Sequence, residues 1–208
     1  MAWFSRVSRF GDVHMVFGQE QQISCGVACV IMAAFKINKI APGTKALFSE
    51  SDILAKATAM FGPNPLGADG FNNPQILQVL NHPDLNMPRW TLARLKPDEV
   101  PGKIIREVGV TDGFGPTITV KPMVVGIDWT GGGGHWVVVD TVRTFFGKKY
   151  ATVCDPWDAN VHVVPLEENQ TFNYRAQPVV GVDFWGKRYN YDKPSVGGAF
   201  LGDVLWRA

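Results

Sequence analysis

Cysteine is scarce in this chain, with three in 208 residues. An odd, sparse set argues against a disulfide scaffold. Cys25 and Cys29, one helical turn apart, do not suit disulfide geometry either. At least one thiol is therefore free, and a free thiol can act as a nucleophile. An excess of charge of one sign is also missing. Twenty Lys and Arg stand against 19 Asp and Glu, for a formal net charge of +1. That balance offers no footprint for nucleic acid or for a polybasic membrane-surface contact, so neither partner is expected. No apolar run reaches the roughly 18 residues of a membrane span. The start, Met1-Ala2-Trp3-Phe4-Ser5-Arg6, lacks the apolar core of a secretory signal peptide. The chain is expected to be cytoplasmic as synthesised, or to leave by a route that needs no cleavable signal. No internal repeat or low-complexity tract occurs, apart from the glycine run 131–134.

What is present is ordinary globular composition, 46% hydrophobic and 19% charged, enough for one domain over residues 1–208. Residues 12–18 read as a short extended entry. From Cys25 the apolar positions Val27, Val30, Ile31, Ala34 and Phe35 recur as one face of a helix to about Ile37, with Ser24 as N-cap. Pro42-Gly43 ends that pattern. A second helix is predicted from Ser51-Asp52 to about Met60, then a loop over 62–74, and a third helix from Pro74 to Leu80. A fourth covers about 97–108.

After residue 116 the period changes to that of strands, at Met123–Ile127, His135–Val142, Tyr150–Cys154 and Val161–Val164, with a hairpin turn at Phe145–Lys148. Residues 166–208 are expected to add an edge strand or to wrap the back of the sheet. Helices first and antiparallel strands second predict an α+β fold, with a helical part over about 19–115 and a sheet over about 116–208.

Three separated segments carry chemistry. The first is Gln19-Glu20-Gln21-Gln22-Ile23-Ser24-Cys25-Gly26-Val27-Ala28-Cys29, the second Gly133-Gly134-His135-Trp136-Val137-Val138-Val139-Asp140, the third Val153-Cys154-Asp155-Pro156-Trp157. Cys25 opens a helix, where the macrodipole favours a thiolate. Cys29, a turn deeper, and Cys154, on the opposite strand face from Asp155, read as packing. His135 is delivered by glycines and is the candidate general base. His14, His82 and His162 lack such context and read as surface or packing residues. Asp155, ending the strand after the His strand, is the candidate for orienting the imidazole. Asp140 competes, but five residues along the same strand it lies on the other face and too far away. Trp136 and Trp157 are expected to wall the site and Gly134 to admit substrate backbone. A metal site built from Cys25, Cys29 and a His is disfavoured, because C-x₃-C lacks a second ligand pair. No cofactor is expected.

Together these segments resemble the papain-like double-glycine peptidases, which trim leader peptides from bacteriocins. In that family a Gln stands six positions before a Cys-Gly pair, often with a second Cys four residues on, as in Gln19, Cys25-Gly26 and Cys29. The family's Gly-His-aromatic-Val-Val strand is matched by Gly134-His135-Trp136-Val137-Val138, and its Asp-Pro by Asp155-Pro156. Ser24 stands where the family usually has Asp. Papain is similar in a further detail, a Trp two residues after the orienting Asn, as Trp157 follows Asp155. The likeness covers about residues 13–165. It implies a papain-like fold, with the nucleophile helix packed on the sheet, and a cysteine endopeptidase acting after small residues such as Gly-Gly. It makes Cys25 the nucleophile and His135 the base, with Asp155 orienting the ring. The spacing of six selects Gln19 over Gln21 and Gln22 as oxyanion donor. With no transporter in the chain, the expected role is that of a stand-alone bacterial effector or toxin, with a protein or peptide substrate and a cognate immunity protein as partners. Two other classes compete. Transglutaminases and arylamine acetyltransferases also run Cys, His, Asp but do not usually show the upstream Gln. A non-catalytic peptide-binding domain would be expected to have lost Cys25.

Overall fold

Apolar runs too long for a one-sided sheet set the architecture. Met123-Val124-Val125 and Val137-Val138-Val139 place apolar side chains on both strand faces, so both must be covered. In the computed structural model they are. The described residues are 3–39, 45–113, 121–129, 133–167, 173–175, 179–182, 188–191 and 197–208. Among them are four α-helices and twelve strands, and the chain is α+β with a largely antiparallel sheet. Pro42-Gly43 and Gly131-Gly132, read above as a helix break and part of the His loop, lie outside the described residues.

The chain opens with a hairpin of β1 (Trp3–Val7) and β2 (Val13–Phe17). Helices α1 (Cys25–Asn38), α2 (Glu50–Phe61) and α3 (Asn73–Leu80) follow, then β3 (Trp90–Arg94), α4 (Val100–Val108) and β4 (Val110–Asp112). The remaining strands are β5 (Met123–Trp129), β6 (Gly134–Phe145), β7 (Lys148–Asp155), β8 (Asn160–Leu166), β9 (Asn173–Arg175), β10 (Val179–Val182), β11 (Arg188–Tyr191) and β12 (Gly197–Arg207). The main sheet runs β3-β12-β5-β6-β7-β8, with β4 parallel to the far end of β6 and β9 beside β12; β10 and β11 pair separately. The expected Phe145–Lys148 turn is present, with Phe146 and Gly147 both at positive φ, as a tight hairpin needs.

One face of the sheet, through Val124, Val138, Cys154 and Leu205, packs on α1. The other, through Val125, Val139, Val153 and Val204, packs on Val100 and Ile104 of α4. A register slip between Val139 and Thr141 lets Val139 and Val142 share the α4 side. Helix α1 is buried on nearly every side rather than along one stripe, because the sheet, α2, α3 and the first hairpin enclose it.

Three readings need correction. Ser24 occupies the N-cap position but makes no capping bond. Helix α2 begins one residue earlier than expected, at Glu50, with Ser49 as N-cap in a capping box with Asp52. The sheet is not confined to residues after 116: β3 joins it from the helical part, and β12 runs inside it between β3 and β5 rather than as an edge. Strand β12 hides its period-2 pattern behind Gly197, Gly198 and Gly202 and an irregularity between Phe200 and Val204.

Candidate active site

Cys25 is the first residue of α1 and is partly exposed. Glycine follows it because nothing larger fits without displacement. A Cβ on Gly26 would stand 3.1 Å from both Ile76 Cδ1 and Phe71 Cβ, so Gly26 lets α3 and the loop before it close on the helix that Cys25 begins. His135 is the second residue of β6 and Asp155 the last of β7. The β6–β7 register pairs Val138 with Cys154, which sets Asp155 within two residues of His135 across the ladder.

The structure brings these three together. His135 Nε2 donates to Asp155 Oδ1 at 2.6 Å, with His135 3% and Asp155 0% exposed. The Trp157 N–H donates to the same oxygen at 2.8 Å. Cys25 and His135 line the same cleft, and the thiol stands close enough to His135 and to the backbone N–H groups of Trp136 and Gly26 for each to act on it. With Nε2 on Asp155, Nδ1 is the ring nitrogen left to face Cys25. Burial alone would keep the thiol neutral, but the bond and charge of His135 and the two N–H groups pull its pKa below the ordinary value. For His135, burial disfavours the charged ring; Asp155, through charge and hydrogen bond, and then Cys25 outweigh it and raise the pKa to about 10. The other two thiols move the opposite way. Burial pushes Cys29 well up, and Cys154 up to about 12. A sub-stoichiometric alkylating agent near neutral pH is therefore expected to label Cys25 first. Peptide mapping that found Cys29 or Cys154 modified earlier would refute the assignment.

Asp140 is engaged elsewhere. Its Oδ2 lies 2.5 Å from His14 Nδ1 and accepts from Lys36 Nζ at 2.8 Å. All three side chains are buried, so His14 belongs to a core ion cluster, not the surface. His162 is buried too, with Nε2 3.0 Å from Asp158 Oδ2.

Gln19 is buried in the loop before Cys25. Its backbone N–H donates to the Pro156 carbonyl at 2.9 Å, tying the Cys segment to the Asp-Pro segment. Its side-chain Nε2 donates to the carbonyls of Gln21 at 2.8 Å and Gln22 at 2.9 Å, so as placed it braces the turn ahead of Cys25. The Ser24 hydroxyl donates to the buried Glu50 carboxylate at 2.7 Å, and the Glu20 N–H meets the same Oε1 at 2.7 Å. Burial raises the pKa of Glu50. Ser24 thus couples the loop before Cys25 to a carboxylate from α2. The sequence reading took Ser24 only as a helix N-cap.

A cleft of about 230 Å³ adjoins the Cys25–His135 pair. One wall is the loop 69–73; the other comes from Gly126, Gly134, Trp136, Leu201 and Asp203. The Trp136 Nε1–H crosses to the Phe71 carbonyl at 3.3 Å. Gly134 and Trp136 therefore stand where expected, whereas Trp157 does not line this cleft and meets the site through its backbone N–H. Gly70 presses the loop home, since a Cβ there would stand 2.4 Å from the Ile23 carbonyl oxygen. Sequence reading missed the loop wall, Gly126, Leu201 and Asp203. The only signal was a Gly at a positive-φ position in a loop, which is common.

Among the described residues two triads of buried side chains have metal-ligand character, His14–Asp140–Cys154 and Asp155–Asp158–His162. In the first the Lys36 ammonium already holds the cation's place beside Asp140 and Cys154. In the second Asp155 serves His135 and Asp158 serves His162. Among the described residues no helix is long and apolar enough to cross a membrane. No protein-family model matches the chain, and no curated protein matches it.

Proposed function

We propose that the chain is a cysteine endopeptidase of papain-like fold, and the observation that carries this is Cys25 beside the hydrogen-bonded His135–Asp155 pair, with Cys25 and His135 both on the wall of one cleft. Cys25 attacks the scissile carbonyl as thiolate, forming a C–S bond and a tetrahedral oxyanion. The His135 imidazolium gives its Nδ1 proton to the leaving amine as the C–N bond breaks. His135 then takes a proton from water, which attacks the thioester and frees Cys25. Asp155 holds the ring through Nε2 and stabilises its charge. Gly134 leaves the sheet wall low enough for a substrate backbone to lie against it, and the family resemblance adds small residues, such as Gly-Gly, at the scissile bond. The chain is further proposed to act as an effector or toxin on proteins of another cell, with an immunity protein guarding the producer by covering Cys25.

The oxyanion meets two donors, the Cys25 backbone N–H and Gln19 Nε2, which exchanges one of its two carbonyl partners for the anion. Gln19→Ala is expected to lower kcat by about 10²–10³-fold, the usual loss for one oxyanion donor. Alkylation of Cys25 should persist in that variant, because the donor meets charge that exists only in the transition state. Normal turnover in Gln19→Ala, with loss in Gln21→Ala or Gln22→Ala, would mean that the wrong glutamine is assigned.

The reading as a whole is tested by incubating the protein and its Cys25→Ala variant with a whole-cell lysate and mapping new protein N-termini. New termini that need Cys25 are expected. Termini that arise equally with a folded Cys25→Ala protein would end the peptidase reading.

A further inference from the structure

Strand β12 departs from regular pairing at one place only along its contact with β5. Phe200 pairs with Ile127 and Val204 with Val125, so Leu201, Gly202 and Asp203 all stand opposite Gly126. Gly202 makes this possible. It adopts φ +103°, and a Cβ there would fall 2.0 Å from the Leu95 carbonyl oxygen, so no other residue type fits without rearrangement. Such bulges re-aim side chains, often beside active sites. Here the bulge places both Leu201 and Asp203 on the wall of the cleft that holds Cys25 and His135.

Asp203 is 5% exposed, and its Oδ1 is buried without a hydrogen bond. The Nε of Arg94, on the paired strand β3, lies 3.3 Å from that oxygen, in ion-pair range, but the Arg94 side chain is 79% exposed. A surface cation of this kind is a weak and displaceable partner. Gly126 keeps the path to the carboxylate open, since a Cβ at that position would crowd Trp136 at 3.3 Å and Asp203 Cβ at 3.4 Å. The facing loop adds an exposed second carboxylate, Asp69, and the lining includes no lysine or arginine among the described residues. The charge of His135 is already matched by Asp155 and the Cys25 thiolate, so the cleft as a whole favours a cation.

We infer that Asp203 is the specificity determinant of this cleft and selects substrates with a lysine or arginine side chain adjoining the small residues at the scissile bond. This deepens the peptidase reading and rests on it. The cationic side chain runs past Gly126, replaces Arg94 as partner of Asp203, and leaves the substrate backbone between the 69–73 loop and Gly134.

The test uses peptidyl acyloxymethyl ketones, which alkylate a cysteine only after docking beside it. Lysine or its uncharged near-isostere norleucine is placed in turn at each of the residues before the reactive carbon, and the rate of Cys25 modification is followed by mass spectrometry. At one position the lysine probe should react about 10- to 100-fold faster, the range given by one charge-assisted hydrogen bond. The ratio should fall towards one in Asp203→Asn and in high salt, and should rise in Arg94→Ala, which removes the competing cation without touching the cleft. A ratio near one at every position in the unmodified protein, or a ratio unchanged in Asp203→Asn with iodoacetamide labelling of Cys25 intact, would overturn the inference. If iodoacetamide labels Cys25 but no peptidyl probe does, the peptidase reading itself fails and this inference with it.

Discussion

Cys25→Ala, His135→Ala and the double variant are expected to fall to the same residual turnover, about 10⁵–10⁶-fold below the unmodified protein, as groups acting as one unit do. The reason lies in their coupling. His135 is the main agent that lowers the titration of Cys25, and Cys25, after Asp155, helps to raise that of His135, so losing either removes the ion pair rather than half of it. In His135→Ala the Cys25 thiol should lose its principal stabiliser, and alkylation at neutral pH should slow. Asp155→Ala should be milder, because it releases the ring without removing the proton carrier. The pH dependence follows the same pair. Turnover should rise as Cys25 ionises below the ordinary thiol range and fall on the alkaline side as His135 loses its proton near its pKa of about 10. The same shift bears on stability. The folded-state value of about 10 lies above the ~6.5 of an unfolded histidine, so this contribution is complete below about pH 6.5 and is lost as pH rises through about 10. Rates from single-turnover acylation, with circular dichroism to confirm folding, check all of this. Additive losses in the double variant would show that Cys25 and His135 do not act on one step.

Asp140→Ala should have the largest effect on stability. It leaves Lys36 and His14 buried, the first without its counter-ion and the second without its acceptor. Breaking a buried ion pair by removing one partner costs about 3–5 kcal/mol, a large part of the margin of a domain this size. Replacing Lys36 and Asp140 together by apolar residues of similar volume should recover much of that loss, since the desolvation of both charges is then avoided. Urea denaturation measures both. Turnover per folded molecule should stay close to normal in Asp140→Ala, because Asp140 faces Lys36 rather than His135. A loss of turnover exceeding that of Asp155→Ala, in equally folded proteins, would transfer the orienting role to Asp140.

Burial also explains which readings of individual histidines and cysteines survive. Cys154 lies in the core as expected, but beside an ammonium group rather than in apolar surroundings alone. His14 looked incidental because its partner, Asp140, lies 126 residues away. Ser24 looked like a cap because Ser before a helix often is one. Its hydroxyl turns instead to Glu50, which α2 brings to the same place. Side-chain hydrogen bonds of this kind depend on which elements become neighbours, and local spacing carries no record of that.

Local pattern alone determined the helix that begins at Cys25, the strand that carries His135 near its start and the strand that ends at Asp155. Hydrophobic period, a Gly-delivered His and an Asp-Pro stop are short-range signals, and they were enough to name the residues and the α+β class. Tertiary structure alone decided that the last strand lies inside the sheet, that Asp140 belongs to Lys36 and His14, and that a bulge at Gly202 places Asp203 in the cleft. Each of these depends on strand order and on contacts between distant segments. Such contacts are set by what both faces of the sheet must bury, not by any residue's immediate neighbours in the chain.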